Sequence, residues 1–384
     1  MINYGKQNID NSDIGSVRRA LKSNFLTQGP TVEKFEKKLS NYFRSKYVVA
    51  VSNGTSALTL AAKVLDWKKN DVVIVSPITF LATANCIVAQ GATPCFVDIN
   101  LDDYSFDLQK LEKKIKSLKK KLKAIIVTDY AGHPADWKKI YNLKKKYKFK
   151  IINDNCHAIG ASLDNDSGYA VKYSDLATLS FHPVKTITTG EGGAILTNNK
   201  DYFFKIKSLR SHGVIKNKEM IKKYGSWYNE MRFLSGNHRL SDIQASLGLS
   251  QLKRISKFIK KRRFVANFYN KIFKDSSKFT IPKVRKNVRH AFHLYPLLVN
   301  LKKIGKSKKQ IFNQFLKYKI NLQVHYIPIN TQPFYKKKYS FKKNDFKNSL
   351  DFYKREISMP IYYDLNNKQL KQIKKACEKI FNLI

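Results

Sequence analysis

The sequence is short of acidic residues and has no long apolar run. Its 384 residues include 28 aspartates and glutamates against 73 lysines and arginines, which gives a formal net charge of +45. A membrane-spanning helix needs about 20 consecutive apolar residues, and no segment comes near that length. The first five residues also lack the basic start and apolar core of a signal peptide. We therefore expect a cytoplasmic protein that does not enter a membrane.

Cysteine is also scarce. The four cysteines, Cys86, Cys95, Cys156 and Cys377, form no C-x-x-C pair, and the first three lie in apolar or strand-like segments. That pattern is typical of free, buried thiols in a reducing compartment. A metal site at Cys156-His157 would need further ligands at a suitable spacing, and the sequence offers none. We expect no bound metal.

The excess of positive charge has two interpretations. A concentrated basic face would indicate a nucleic-acid or anionic-membrane partner. The basic residues instead recur along the whole chain, mostly in amphipathic helical patterns, and no helix-turn-helix, zinc-finger or RNA-recognition signature accompanies them. We favour a solvated surface and expect no specific nucleic-acid partner. A positive field would still favour a substrate that carries a diphosphate.

Helical periodicity alternates with short β-branched segments from about residue 14 to residue 200. Strands are predicted at 47–51, 72–75, 93–97, 124–128 and 150–153, followed by a hairpin of 177–181 and 193–197. Helices are predicted at 12–22, 31–43, 55–65, 82–90, 108–117 and 137–147, and a long helix at 241–258 that continues as a second helix to 273. This order predicts an α/β fold in which a mostly parallel sheet is covered on both faces.

The length exceeds what one core normally serves, so two domains are expected. The C-terminal part is predicted to hold strands at 293–299 and 321–325 and helices at 308–318 and 368–381. We predict a large domain over residues 1–256 and a smaller α/β domain over residues 257–384.

Lys185 stands out among the many lysines because its surroundings are apolar and rich in glycine. It follows a predicted buried strand and precedes the segment Thr186 to Gly193. An amine that is desolvated at a strand end has a lowered pKa, so more of it is neutral and nucleophilic. Such an amine suits imine formation with an aldehyde cofactor, whereas most lysines are exposed and inert.

Asp154 and a glycine turn complete the pattern. Asp154 closes the apolar strand 150–153, where a carboxylate is costly unless it meets a cation such as the ring nitrogen of pyridoxal phosphate. Gly54, Thr55 and Ser56 follow the first strand and open a helix, so they offer backbone N–H groups and hydroxyls to a phosphate. Phe80 lies just past another strand, where its ring could cover a planar ligand. Ligands bind at this edge of open α/β sheets.

These residues belong to a series of segments that resembles the DegT/DnrJ/StrS sugar aminotransferase family of fold-type-I pyridoxal-phosphate enzymes. The resemblance runs from residue 2 to about residue 365. The matching segments are 26–30, 53–58, 77–80, 82–85, 154 with 157–158, 180–185, 190–193, 210–213 and 236–240. Two departures are the Asp154-Asn155-Cys156 sequence, where many relatives have Asp-Ala-Ala or Asp-Ser-Ser, and a longer segment at 221–233.

The resemblance implies roles for particular residues. Lys185 would hold the cofactor as a Schiff base and move the proton, in both the pyridoxal (PLP) and pyridoxamine (PMP) forms, and Asp154 would pair with the pyridine nitrogen. The other implied cofactor contacts are Gly54, Thr55, Ser56, Phe80, His157, Ser180 and, across a homodimer interface, Asn237. The implied substrate contacts are Tyr4, Asn24, Phe25, Leu26, Thr27, Gln323, Val324, His325 and Tyr326.

Within the family, several segments resemble the branch that acts in pseudaminic acid biosynthesis. They are 129–132, 180–182 with 185 and 187–189, 245–253, 323–326, and 352–353 leading to 356–358. That branch implies transfer of an amino group from L-glutamate to C4 of a UDP-linked 2-acetamido-2,6-dideoxy-4-keto-hexose. The alternatives are another UDP- or dTDP-linked keto-sugar and a basic nucleic-acid-binding protein on a non-catalytic scaffold. Family members that resemble the 3-dehydratase have histidine in place of the lysine, so Lys185 argues against dehydration.

Overall fold

The computed structural model describes residues 1–383. The helices are α1 (Asn11–Leu21), α2 (Pro30–Phe43), α3 (Gly54–Val64), α4 (Leu81–Ala89), α5 (Leu108–Leu118), α6 (Trp137–Tyr147), α7 (Tyr169–Lys172), α8 (Lys200–Arg210), α9 (Lys218–Tyr224), α10 (Asp242–Lys253), α11 (Ile255–Phe273), α12 (Leu301–Ile304), α13 (Lys308–Lys317), α14 (Pro333–Lys338), α15 (Lys347–Arg355) and α16 (Asn367–Phe381). Among these residues no helix is both long and apolar enough to cross a membrane.

The strands alternate with the helices in the first half of the chain. They are β1 (Tyr47–Val51), β2 (Val72–Val75), β3 (Thr93–Phe96), β4 (Leu122–Thr128), β5 (Lys150–Asp154), β6 (Ser162–Leu163), β7 (Leu176–Ser180), β8 (Gly193–Thr197), β9 (Val214–Ile215), β10 (Glu230–Met231), β11 (Phe279–Thr280), β12 (Val288–Arg289), β13 (Tyr295–Val299) and β14 (Glu356–Met359).

A seven-stranded sheet in the order β1-β8-β7-β5-β4-β2-β3 forms the centre of the molecule. Its strands are parallel except for β8, which pairs antiparallel with both β7 and β1. One face packs against α2, α5 and α6, and the other packs against α3, α4 and α8. The predicted α/β fold and its mostly parallel sheet are therefore confirmed, and so is the 177–181 and 193–197 hairpin.

The local sequence explains why these elements form. Strand β4 is buried on both sides from Ala124 to Thr128, which requires the continuous β-branched sequence it carries. Helix α2 buries Val32, Phe35, Leu39 and Phe43, which recur at helical spacing and so lie on one face. Burial of that face against the sheet removes its apolar surface from water and fixes where the helix lies.

A three-stranded sheet in the order β11-β13-β14 is the centre of the C-terminal part. It packs with α11, α13 and α16 around a core that also includes Ile2. Helix α11 serves both cores, because Ile255, Phe258 and Ile259 pack with the large sheet, whereas Val265 belongs to the C-terminal core. The division of domains at residue 257 stays a prediction.

Two predicted elements are wrong. The segment 321–325 is not a strand and makes only an isolated bridge between Gln323 and Ser358, because the strand that pairs with β13 is β14. The helix predicted at 241–258 ends at Lys253, and a new helix begins at Ile255. Arg254 lies between them with non-helical backbone angles, and its guanidinium forms ion pairs with the carboxylates of Asp10 and Asp13.

Candidate active site

A cavity of about 620 Å³ lies at the carboxyl ends of the parallel strands. Thr128, Asp154 and Ser180 are the last residues of β4, β5 and β7, and all three line it. The residues after β1 and β2 reach the same edge and supply the remaining polar groups of the wall. Ligands of open α/β sheets bind in this position. The sequence-predicted residues that line this cavity are Tyr4, Gly54, Thr55, Phe80, Asp154, His157, Ser180, Lys185, Gln323, Val324, His325 and Tyr326.

Asp154 is a buried carboxylate without a cationic partner. Its side chain is 4% exposed. Oδ2 accepts a hydrogen bond of 2.7 Å from the Thr83 hydroxyl, and Oδ1 accepts one of 3.3 Å from the Cys156 N–H. Among residues 1–383 no lysine, arginine or histidine nitrogen forms an ion pair with it. A buried carboxylate is costly unless a cation meets it, so this group calls for a cationic ligand.

A short series of hydroxyl groups holds Asp154 in place. The Thr83 hydroxyl lies 3.0 Å from that of Thr79, which in turn lies 2.9 Å from that of Thr128. All three threonines are buried and line the cavity. Since Thr83 is already committed to donating to the carboxylate, the Asp154 side chain has a fixed orientation toward the cavity.

Lys185 lies in the loop that joins β7 to β8 and lines the same cavity. Its backbone N–H donates to the His182 carbonyl, and the loop closes through Thr189 N–H, which donates to the Phe181 carbonyl. Desolvation lowers the pKa of the Lys185 amine, and the nearby Cys156 and Asp154 side chains oppose that shift. A lowered pKa leaves more neutral amine, which can act as a nucleophile and accept a proton.

The turn between β1 and α3 forms a cradle for an anion. The Asn53 side chain caps the helix by accepting the Ser56 N–H at 2.7 Å. A Cβ atom on Gly54 would lie 2.9 Å from the Cβ of Ser180, so only glycine allows the turn and the end of β7 to approach this closely. The helix N-terminus and the hydroxyls of Thr55 and Ser180 favour a phosphate.

Ser56 differs from the other predicted cofactor contacts. Its hydroxyl does not line the cavity but lies 2.9 Å from the Ser52 hydroxyl and 3.1 Å from Nδ1 of His238. A cofactor contact by Ser56 therefore stays a prediction, which this position of the hydroxyl does not favour. The helical turn directs the side chain of residue 56 away from the side to which residues 54 and 55 contribute.

Neutral histidines form the base of the cavity. The ring of His157 lies 4.5 Å from that of His293, and its Nε2 is 3.0 Å from the Tyr326 hydroxyl. Burial lowers the pKa of both histidines well below the usual value, and the charge of Lys185 adds to the shift. Nδ1 of His157 is buried with no hydrogen-bond partner in the described chain. The ring is thus an uncharged surface that still has an unused polar atom.

Residues from the C-terminal part of the chain and from the N-terminus also line the cavity. The rings of Tyr4 and His325 lie 5.1 Å apart, and the ring of Phe80 lies 6.0 Å from that of Tyr326. Phe80 is 54% exposed although it is large and apolar. A ring that is held at the mouth of a cavity in this way can cover a planar ligand.

The other predicted contacts lie outside this cavity. Asn24, Phe25, Leu26 and Thr27 do not line it, and Phe25 and Leu26 are about half exposed on the surface. Asn237 is also exposed, and its side chain accepts the Arg239 N–H at 3.2 Å. Within one chain the structure does not bring these five residues to the cavity.

The cavity also contains polar residues for which the sequence analysis assigned no role. Thr83 is the most important, and the signal for it was the Thr79–Thr83 spacing, which places both hydroxyls on one side of the start of α4. His293 follows no recognisable motif and could be found only from the fold. In the described part of the chain no group of three or more potential metal ligands occurs.

Comparison with known proteins gives a consistent result. Residues 7–378 match the model of the DegT/DnrJ/EryC1/StrS aminotransferase family. The chain is 38% identical over 384 residues to the UDP-4-amino-4,6-dideoxy-N-acetyl-beta-L-altrosamine transaminase of Campylobacter jejuni, which covers 100% of this chain and 98% of that one.

Solved structures give the same result. PseC from Helicobacter pylori, an aminotransferase of pseudaminic acid biosynthesis, superposes with a TM-score of 0.91 at 32% identity over the whole of both chains. Spr1654 of Streptococcus pneumoniae, assigned as a sugar aminotransferase, superposes in its PMP form with a TM-score of 0.91 at 26% identity, covering 100% of this chain and 99% of that one. Its PLP form superposes with a TM-score of 0.89.

Proposed function

The chain belongs to the DegT/DnrJ/EryC1/StrS aminotransferase family, and we propose that it uses pyridoxal phosphate to transfer the amino group of L-glutamate to C4 of a UDP-linked 2-acetamido-2,6-dideoxy-4-keto-hexose. One observation carries the cofactor part of this proposal. The buried carboxylate of Asp154, which has no cationic partner in the described chain, and the amine of Lys185, whose pKa is lowered, line one cavity.

The residues of the cavity fit pyridoxal phosphate. The N-terminus of α3 with Gly54, Thr55 and Ser180 would hold the phosphate. Asp154 would meet the protonated ring nitrogen, which supplies the cation that the buried carboxylate lacks. The unpartnered Nδ1 of His157 fits a polar substituent of the ring. When bound, the cofactor supplies an electron sink for the carbon that loses a proton.

The chain's own residues then perform the proton transfers. The Lys185 amine would accept a proton at Nζ from the amino donor and return one to the sugar carbon, and its lowered pKa favours this exchange. The Asp154 carboxylate, oriented by the Thr83 hydroxyl, would face the ring nitrogen. Burial lowers the pKa of His157 and His293 well below the usual value, so these imidazoles are weak bases. The Lys185 amine is therefore the group that we assign to proton transfer.

The substrate proposal rests on similarity and on electrostatics. The Campylobacter relative carries a UDP-linked amino-sugar in its name, and the Helicobacter structure is an aminotransferase of pseudaminic acid biosynthesis. Gln323, Val324, His325 and Tyr326 line the wall of the cavity that is left for a second ligand. The net charge of +45 favours a substrate that carries a diphosphate.

A panel of nucleotide keto-sugars tests the substrate proposal. With glutamate as donor, we expect kcat/KM for the UDP-linked 2-acetamido-4-keto sugar to exceed that for dTDP-4-keto-6-deoxyglucose by about 100-fold, because unmatched polar groups are rejected strongly. Products are identified by NMR. Equal or faster turnover of the dTDP sugar would favour the alternative substrate. No transamination of any sugar, together with steeply salt-dependent DNA binding, would favour the alternative of a nucleic-acid-binding protein on a non-catalytic scaffold.

We further propose that the active unit is a homodimer in which Asn237 reaches the cavity of the partner subunit. Large apolar side chains are exposed at the cavity, in the 24–27 loop and at residues 227–234, and exposed apolar side chains of this kind are typical of interaction surfaces. They include Phe25, Leu26, Phe80, Leu81, Trp227, Met231, Leu234 and Ile327. Asn237 is exposed, and its neighbour His238 bonds the Ser56 hydroxyl near the start of α3. An exposed side chain in this position is available to a partner subunit.

Mixed dimers test the shared site. Lys185→Ala and Asn237→Asp homodimers should each be nearly inactive, the second because a carboxylate would repel the phosphate. A heterodimer has one site with both defects and one site with neither. After subunit exchange of equal amounts, we expect roughly a quarter of wild-type activity to return. No recovery, despite heterodimers detected by native mass spectrometry, would contradict a shared site.

A further inference from the structure

Strand β14 places two polar side chains directly behind His325. Glu356 and Ser358 are two residues apart on one strand, so their side chains lie on the same face. Both are fully buried. The His325 N–H donates to Oε2 of Glu356 at 3.0 Å, and Nδ1 of His325 lies 2.8 Å from the Ser358 hydroxyl. The Ser358 hydroxyl donates to Oε1 of Glu356.

The directions of these hydrogen bonds determine the tautomer of His325. An ionised carboxylate only accepts, so the single Ser358 proton is used on Glu356. The serine oxygen can then only accept from Nδ1, which must carry the imidazole proton. Nε2 is left with its lone pair. It has no partner among residues 1–383 and is not enclosed, so it opens into the cavity that His325 lines.

We propose that Glu356 and Ser358 are positioning residues that hold His325 as the Nδ1–H tautomer, so that Nε2 accepts a hydrogen bond from a hydroxyl or N–H group of the sugar substrate. The nature of that ligand rests on the proposed function. The tautomer does not, because it follows from contacts within the chain. In the opposite tautomer Nε2 would carry a proton and would repel a hydrogen-bond donor of the ligand. The contacts of Glu356 and Ser358 with His325 therefore select a ligand that places a donor at Nε2.

The surroundings are consistent with a neutral His325 and an ionised Glu356 at mildly alkaline pH. Burial, with a smaller effect of Lys185, lowers the pKa of His325 to about 3, so the ring is uncharged. Burial raises the pKa of Glu356 to about 7, opposed by Ser358, by Lys308 from α13 and by the His325 N–H. The phenols of Tyr104, Tyr130 and Tyr326 also face Glu356, and burial raises the pKa of each.

The tautomer can be read directly by long-range ¹H–¹⁵N NMR at pH 8.5 on the full-length enzyme labelled with ¹⁵N-histidine. There are 8 histidines, and His325→Phe identifies the resonance of interest by its loss. We expect Nδ1 to be protonated in the wild type. In Glu356→Gln the amide must accept the His325 N–H and so donates to Ser358, whose proton is then free for Nδ1. The tautomer should invert to Nε2–H without a change in side-chain size.

The kinetic prediction is a rise in KM for the keto-sugar of about tenfold in Glu356→Gln, the cost of setting a donor against a donor. The half-reaction with glutamate should keep its rate. Asp242→Asn is the control, since Asp242 is an equally buried carboxylate that accepts N–H groups of Gly29, Thr31 and Val32 on another element. It should leave the His325 tautomer unchanged.

Three results would overturn the inference: an Nε2–H wild type, an unchanged tautomer in Glu356→Gln, or inversion in the Asp242→Asn control. If Glu356→Gln does not fold, Ser358→Ala gives the second test, because loss of the acceptor for Nδ1–H should populate both tautomers. The enzyme could show the Nδ1–H tautomer of His325 and yet transaminate none of the keto-sugars. That result would support the positioning role of Glu356 and Ser358 and would refute the proposed substrate.

Discussion

Replacement of Lys185 by alanine should lower the rate of the half-reaction with glutamate by at least about 10³-fold. General acid–base catalysis contributes 10²- to 10⁴-fold on its own, and here the same amine would also hold the cofactor. The wild-type amine suits both tasks because desolvation lowers its pKa. The measurement is the single-turnover absorbance change of the bound cofactor on addition of glutamate.

Covalent attachment at Lys185 provides an independent readout. Borohydride treatment of the wild type should fix the cofactor to the tryptic peptide that contains residue 185, as detected by mass spectrometry. The alanine variant should bind the cofactor without that linkage. Lys139→Ala is the matched control, because the Lys139 side chain is 70% exposed and its loss should change neither readout. Label on another lysine, or an unchanged rate in Lys185→Ala, would contradict the assignment.

The sequence was sufficient to locate the strand ends at Asp154 and Ser180 and the following loop that carries Lys185. Continuous apolar segments such as that of β4 have a clear signature, and their order along the chain places their carboxyl ends at one edge of the sheet. A carboxylate or lysine that follows such a segment is therefore near the ligand position. The resemblance named the ligand, but the position follows from strand periodicity and chain order.

Features that depend on contacts between distant parts of the chain were missed. The segment 321–325 has the composition of a strand, yet the His325 N–H bonds the Glu356 carboxylate, and residues 323–325 line the cavity. Ser56 follows Gly54 and Thr55 in the sequence, but its hydroxyl forms a hydrogen bond with Nδ1 of His238, which is distant along the chain. The support of Asp154 by Thr83 likewise joins two elements whose contact no local pattern reveals.

Asp154→Asn should reduce kcat/KM by about 10³-fold at saturating cofactor, with little loss of folding stability. The neutral amide can still accept from Thr83 but cannot keep a proton on the ring nitrogen, so the electron sink is weakened in the transition state by about 4 kcal/mol. The measurement is steady-state kinetics at pH 8 combined with thermal unfolding of the enzyme.

Asp129→Asn separates this effect from the general cost of losing a buried carboxylate. Asp129 directly follows β4, and its two oxygens accept from Ala135 N–H, the Trp137 indole, Asn155 and Tyr169. Burial raises its pKa to about 6, so at pH 8 it is ionised with every acceptor position filled by the chain. In Asp129→Asn the amide NH2 group would face hydrogen-bond donors in place of an accepting oxygen. This change should lower the free energy of unfolding by about 1–3 kcal/mol. The Asp129→Asn enzyme should retain most of its kcat/KM, because no position on Asp129 is left for a ligand.

If both variants lost stability and activity in parallel, Asp154 would be a structural group like Asp129. A loss of rate confined to Asp154→Asn is what its unfilled need for a cation predicts.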